Sequence, residues 1–157
     1  MNWTIKTFGQ LTSKQLYKIL QARVDVFVVE QNCPYREIDD IDQESIHFFI
    51  EEQDKIVAYA RIIPKGLLYD SASIGRILVH KDYRKHGYGR KLLQACIDWV
   101  EENWNEKDII LHAQVYLREF YRSFGFAEIT ESYLEDGIPH VEMLRSTLVS
   151  NKKSVES

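Results

Sequence analysis

Residues 74–100 read Ile74-Gly75-Arg76-Ile77-Leu78-Val79, a short polar turn, Arg84-Lys85-His86-Gly87-Tyr88-Gly89-Arg90, and then Lys91-Leu92-Leu93-Gln94-Ala95-Cys96-Ile97-Asp98-Trp99-Val100. The first block is an apolar strand, and its interior Gly75 predicts a bulge or a close backbone approach. The last block sets Leu92, Leu93, Cys96, Ile97 and Val100 along one helical face. A loop with two glycines and three basic residues therefore joins a strand to a helix start. The first N–H groups of a helix lack intrahelical partners and the helix dipole favours negative charge there, so this junction suits a phosphate or pyrophosphate. Gly87 and Gly89 let a ligand approach the backbone, while Arg84, Lys85 and Arg90 supply charge. Two familiar phosphate loops do not fit. A Walker A loop needs a Lys-Ser/Thr pair after its second glycine, and a Rossmann fingerprint needs a small residue where Leu92 stands. On spacing alone the alternative is a glycine-containing loop with basic surface residues.

Outward from this segment the pattern alternates strands and helices. Trp3 to Phe8 predicts a strand that stops at Gly9. Thr12 and Gln15 have capping-box spacing ahead of Leu16, Ile19, Leu20, Val24 and Phe27, a helix ending before Pro34. Tyr35 to Glu44 is acidic and unpatterned, which predicts a loop. His47–Ile50 and Ile56–Ile63 form a hairpin closed by Pro64. After the central helix, Ile109–Ala113 predicts a buried strand, Leu117–Phe124 a short helix ending at Gly125, and Phe126–Tyr133 another strand. Asp136-Gly137 turns the chain into a last strand, His140–Leu144. The expected fold class is α/β: one domain over residues 1–145 with a mixed sheet flanked by helices, then a polar, frayed tail over residues 146–157.

Composition sets the outer limits. At 157 residues, with 45% hydrophobic and 28% charged residues, the chain can bury one core and is not a disordered class. The net charge of -4 argues against a broad nucleic-acid surface. Two cysteines, Cys33 and Cys96, give neither a disulfide framework nor a zinc-site spacing, so no metal is expected and a reducing, cytoplasmic setting fits best. No run approaches the ~20 apolar residues of a membrane span. No membrane partner is expected, and a homodimer is left open.

Arg84-x-x-Gly87-x-Gly89 at a strand-to-helix junction resembles motif A of the GCN5-related N-acetyltransferase (GNAT) superfamily, whose loop cradles the pyrophosphate of acetyl-CoA. Phe120-Tyr121-Arg122-Ser123-Phe124-Gly125-Phe126 resembles the superfamily's terminal helix-strand motif. Further segments are similar to its ElaA-like branch: Arg23 to Tyr35, Ile38-Asp39, Ala58-Tyr59-Ala60-Arg61, Ile74-Gly75-Arg76 and Glu135-Asp136-Gly137-Ile138-Pro139-His140. The resemblance implies a GNAT-like sheet whose central strands splay at the cofactor site, with acetyl-CoA as cosubstrate. It also implies direct acetyl transfer to a primary amine of a small molecule or peptide.

The resemblance and the chemistry together nominate site residues. The backbone of Ile77, Leu78 and Val79 would orient pantetheine, and Arg84, Lys85, His86, Gly87, Tyr88, Gly89 and Arg90 would hold pyrophosphate. Gln114 could hydrogen-bond the pantetheine arm or the acceptor. Tyr121 is the leading catalytic candidate, because acyl transfer leaves a CoA thiolate that a phenol can protonate; its alternative is a core aromatic. An amine with a pKa of about 10 must shed a proton, so a base or water relay is implied. Glu30, His47, His112 and His140 are the candidates. Glu30 and His140 are expected in the acceptor cleft, whereas His112 is expected to satisfy a hydrogen bond in a buried strand. Asp39, Asp40 and Asp42 would either steer a cationic acceptor or form a solvated loop. Cys96 is expected to pack in the core. The rival function is a non-catalytic CoA-binding sensor or interaction module.

Overall fold

The computed structural model describes residues 2–146. The expected polar tail lies outside the described residues, apart from Ser146. The strands are β1 (Thr4–Thr7), β2 (Ile46–Glu52), β3 (Lys55–Ile63), β4 (Ala72–Val79), β5 (Asp108–Gln114), β6 (Ala127–Glu128), β7 (Tyr133–Glu135) and β8 (Ile138–Ser146). They form one sheet in the order β1-β2-β3-β4-β5-β8-β6, with β7 paired to β8. Three helices, α1 (Ser13–Val24), α2 (Tyr88–Trp104) and α3 (Arg118–Arg122), connect them.

The local signals act as their chemistry dictates. At the start of α1 the Gln15 N–H donates to Thr12 Oγ1 and the Thr12 N–H donates to Gln15 Oε1, both at 3.0 Å, closing the capping box. The helix then widens into a π turn over Asp25–Glu30, a geometry that often marks a functional site. Asp136 (φ 52°) and Gly137 (φ 78°) make the tight turn between β7 and β8. The predicted strand over Phe126–Tyr133 is corrected: only Ala127–Glu128 and, separately, Tyr133–Glu135 are extended. Polar Thr130, Glu131 and Ser132 between them offer no apolar face to hold a continuous strand.

Side chains alternate across a strand, and this splits the core in two. Phe48, Ala58 and Ala60 face the buried stripe of α2, Leu92, Leu93, Cys96, Ile97 and Val100. Phe49, Tyr59 and Leu78 face the other way, onto Ile19 of α1. Helices therefore cover both faces of the sheet.

Two irregularities in β4 make the functional geometry. Opposite β3, the pairing jumps from Tyr59↔Leu78 to Arg61↔Gly75, so Arg76 and Ile77 together face Ala60 in a bulge. Gly75 was the sequence signal, but the left-handed residue is Arg76 at φ 50°. On the other side, β4 and β5 pair in parallel only at Ala72↔Ile109 and Ser73↔Ile110. Beyond those residues the strands part, and β5 pairs instead with β8 along its whole length.

Candidate functional site

The parting of β4 and β5 opens a cleft of about 740 Å³. From β4 it is lined by Ile77, Leu78 and Val79, from β5 by His112 and Gln114, and from α3 by Tyr121. Glu30, Arg84 and His140 also border it. Residues scattered over more than a hundred positions in sequence thus meet in one concavity. Gln114 donates from Nε2 to Gln31 Oε1 at 3.2 Å, which fixes its amide across the cleft.

The loop after β4 has the backbone its glycines promised. Lys85 and Gly87 adopt positive φ, 69° and 82°, and Gly87 caps α2. Lys91 N–H donates to the Gly87 carbonyl at 3.2 Å, so the N–H groups of Tyr88, Gly89 and Arg90 precede the first helical bond. The two arginines, however, are engaged elsewhere. Arg84 donates from Nε to the Val79 carbonyl at 3.0 Å, and its other nitrogens grip both oxygens of Glu30 at 2.5 and 2.8 Å. Arg90 donates to Ser123 Oγ at 3.1 Å with its guanidinium 4.6 Å from the Phe124 ring centre. Lys85 and His86 remain exposed on the loop itself.

Tyr121 is a core aromatic and a cleft residue at once. Its ring packs edge-on against Phe120 and Phe126, and the residue is 7% exposed. Burial pushes the phenol pKa up, so the hydroxyl keeps its proton at neutral pH. Such a group can donate to a developing thiolate.

The base candidates fall into three environments. His47 is fully buried, its Nε2 2.9 Å from the Asp42 carbonyl and its Nδ1 2.7 Å from the Tyr59 hydroxyl, away from the cleft lining. Glu30 has both oxygens on Arg84, which holds its carboxyl below the usual range and leaves it an anchor of the loop. His140 has Nδ1 2.7 Å from the Ile138 carbonyl. A carbonyl only accepts, so Nδ1 is the donor, and in the neutral ring the lone pair is on Nε2.

His112 is a correction. The apolar run Ile109–Ala113 predicted a buried strand with His112 inside the core, but β5 alternates, and His112 points out of the core into the cleft. Its Nε2 lies 2.8 Å from Glu135 Oε2, and its ring stacks on Tyr133 at 5.4 Å and lies 4.5 Å from the ring of His140. Burial lowers its pKa, with Glu135 opposing and His140 reinforcing that shift. The pairing with Glu135 was not foreseen: His112 lies on β5 and Glu135 on β7, strands joined only through β8, so no spacing in the sequence marks the contact.

The acidic loop is also corrected. Asp39 and Asp42 are structural anions, and Asp40 alone stays exposed. Arg23, fully buried, donates from Nε to Glu37 Oε2 at 2.7 Å and from Nη1 to Asp42 Oδ1 at 2.6 Å. Arg61 reaches Asp39 and Asp42, and Arg76 reaches Glu37 and Asp39. Tyr35 donates its hydroxyl to Glu37. Burial alone would raise the Asp39 pKa, but the hydrogen bonds and charge of Arg61 win and hold it low. Three arginines balance three carboxylates, so the loop has little net field left to steer a cation. Among the described residues, the cleft-lining carboxylates without an arginine partner are those of the β7–β8 hairpin, Glu135, which contacts His112, and Asp136.

The cradle has the features that acetyl-CoA requires. Beyond Ser73 the β4 edge faces the cleft without β5, which suits an extended amide-bearing arm, and the free N–H groups of α2 stand at its end, where an anion would be met. Gly87 has no heavy atom within 4 Å of where a Cβ would be, so the approach is open. The residues fit the group.

Comparison with known proteins agrees. The family model described as an acetyltransferase (GNAT) domain matches residues 12–146. A UPF0039 protein of Schizosaccharomyces pombe is 46% identical over 91% of this chain and 95% of its own length. Protein ElaA of Escherichia coli is 39% identical over 94% of this chain and 98% of its own. Its crystal structure superposes with a TM-score of 0.86, at 40% identity, over 93% of this chain and all of that one. An acyl-CoA N-acyltransferase of Pseudomonas aeruginosa superposes with a TM-score of 0.88, at 36% identity, over 93% and 100% of the two chains. Among the described residues no helix is long and apolar enough to cross a membrane. The divided sheet, the glycine loop at the start of α2 and the sequence kinship converge: the chain belongs to the GNAT acetyltransferase family and is similar to ElaA over nearly its whole length.

Proposed function

We propose that the chain transfers the acetyl group of acetyl-CoA directly to a primary amine of a small molecule or peptide in a ternary complex. The observation that carries this reading is the position of Tyr121 on the wall of a cleft formed where β4 leaves β5, beside the start of α2. Acetyl-CoA supplies the activated thioester. The loop from Arg84 to Arg90 binds its pyrophosphate through backbone N–H groups, with Lys85 adding charge, His86 offering a ring N–H and Arg84 bracing the loop against Glu30. The β4 edge around Ile77 to Val79 and the amide of Gln114 orient the pantetheine arm.

In the transfer the amine nitrogen bonds to the acetyl carbon, the C–S bond breaks, and the electron pair leaves with sulfur. Tyr121 donates its phenolic proton to that sulfur and is reprotonated from solvent. The amine proton passes to His140 Nε2, directly or through one water, because the other ring nitrogen is committed to the Ile138 carbonyl. Holding both reactants in one cleft removes most of the entropic cost of their meeting.

The test sets free-thiol release across a panel of amines beside CoA affinity by calorimetry. Release of thiol in step with an acetylated amine supports the reading. CoA binding with no acetylation of any amine in the panel overturns it in favour of a CoA-binding sensor or interaction module.

A further inference from the structure

We propose that His112, Glu135 and His140 form a binding site for one divalent transition-metal ion of the zinc type, on the acceptor wall of the cleft. The ligating atoms of the three side chains all lie within 4.8 Å of one another. A tetrahedral zinc with bonds of about 2.0–2.2 Å holds its ligand atoms ~3.4 Å apart, so small side-chain rotations close the site. Two imidazoles and one carboxylate are a borderline donor set that prefers such ions over magnesium or calcium.

The surroundings prepare the ligands. The Ile138 carbonyl, 2.7 Å from Nδ1 of His140, fixes the tautomer that leaves Nε2 bare, a restraint of the kind that orients metal-bound histidines. Tyr133, stacked on His112 at 14° between planes, holds that ring upright. The turn at Asp136-Gly137 sets Glu135 and His140 on neighbouring strands, where Tyr133 pairs with His140 and Glu135 with Ile138. Across β5 and β8, Gln114 pairs with His140 and His112 with Glu142, so the two imidazoles stand on adjacent strands with ring centres 4.5 Å apart. Three protein ligands leave a fourth position on the cleft side for water or an amine. The ion replaces the 2.8 Å contact between His112 and Glu135, and it competes with the amine for the His140 lone pair. This inference stands on the three side chains and would survive a different acceptor.

The experiment is calorimetric titration of chelator-stripped protein with zinc, repeated with cobalt to read its visible spectrum. One ion per chain and tetrahedral cobalt absorption are expected. His112→Gln, Glu135→Gln and His140→Gln should each weaken zinc by ~10-fold or more. His80→Gln, outside the cleft lining at the partly exposed pair with Asp82, should leave the affinity unchanged. Circular dichroism confirms folding, and because the readout needs no turnover, an inactive enzyme leaves the result legible. No saturable zinc binding by the wild type, or equal binding by all three folded variants, overturns the proposal.

Discussion

Glu30 and Arg84 form a two-pronged ion pair, Nη1 to Oε1 at 2.5 Å and Nη2 to Oε2 at 2.8 Å, that ties the end of the π turn after α1 to the loop before α2. Arg84 also donates to the Val79 carbonyl, so one side chain joins the π turn, the last residue of β4 and the loop before α2. The pair is about 40% exposed on each side, so its worth lies in placement more than in stability. Glu30→Gln should weaken CoA binding by ~3–10-fold while barely moving the melting temperature. Calorimetry with CoA checks this; wild-type affinity would show that the loop needs no such brace.

Arg23 is the keystone of the buried charges behind the cleft. Arg23→Ala removes one of the two arginines on each of the buried carboxylates Glu37 and Asp42 and should cost ~3–5 kcal/mol in urea unfolding. A loss below about 1 kcal/mol would mean that Arg61 and Arg76 suffice to neutralise both carboxylates.

The two loop glycines should separate stability from binding. Gly87 sits at φ 82°, so Gly87→Ala should cost ~1 kcal/mol through backbone strain. A Cβ at Gly89 would rest 3.9 Å from Phe120 and Val79, ordinary contact, so Gly89→Ala should stay within about 0.5 kcal/mol of wild type. Both should weaken CoA. Thermal melts and calorimetry on the pair test this; a destabilised Gly89→Ala with full CoA affinity would invert the assignment.

His47 gives a pH signature. Burial lowers its pKa, so between the unfolded value of about 6.5 and its folded value the unfolded chain binds more protons. The His47 contribution is complete above pH ~6.5 and is lost as pH falls through that window. Urea unfolding from pH 7 to 5 should therefore show falling stability, and a less stable but folded His47→Gln variant should show a shallower slope. Identical slopes would place the sensitivity on other groups.

The legible parts of the sequence were those where one residue type does one local job. Thr12 and Gln15 capped α1, Gly87 capped α2, and Asp136-Gly137 turned the last hairpin. What could not be read was pairing at a distance. Asp39 and Asp42 look like any acidic loop until the fold brings Arg23, Arg61 and Arg76 to them from α1, β3 and β4. Those arginines lie within the very segments that carry the ElaA-like resemblance, so kinship marked the network before charge did. His112 was misplaced because Ile109, Ile110 and Leu111 form an apolar run without visible alternation, and half of that run's exposure depends on where β4 departs. The split of residues 126–133 shows the converse: a few apolar residues predict extension, but β8 supplies ladder partners only at Ala127 and Glu128 and again at Tyr133.

The most direct measurement is turnover by Tyr121→Phe at saturating acetyl-CoA and amine, with CoA affinity determined on the same protein. The phenol that lines the cleft is held protonated by burial, and its loss should lower kcat by ~10²-fold or more while CoA binding and the melting temperature stay near wild type. Wild-type kcat in this variant, with product release shown not to limit the rate, would contradict the account of how the cleft performs acetyl transfer.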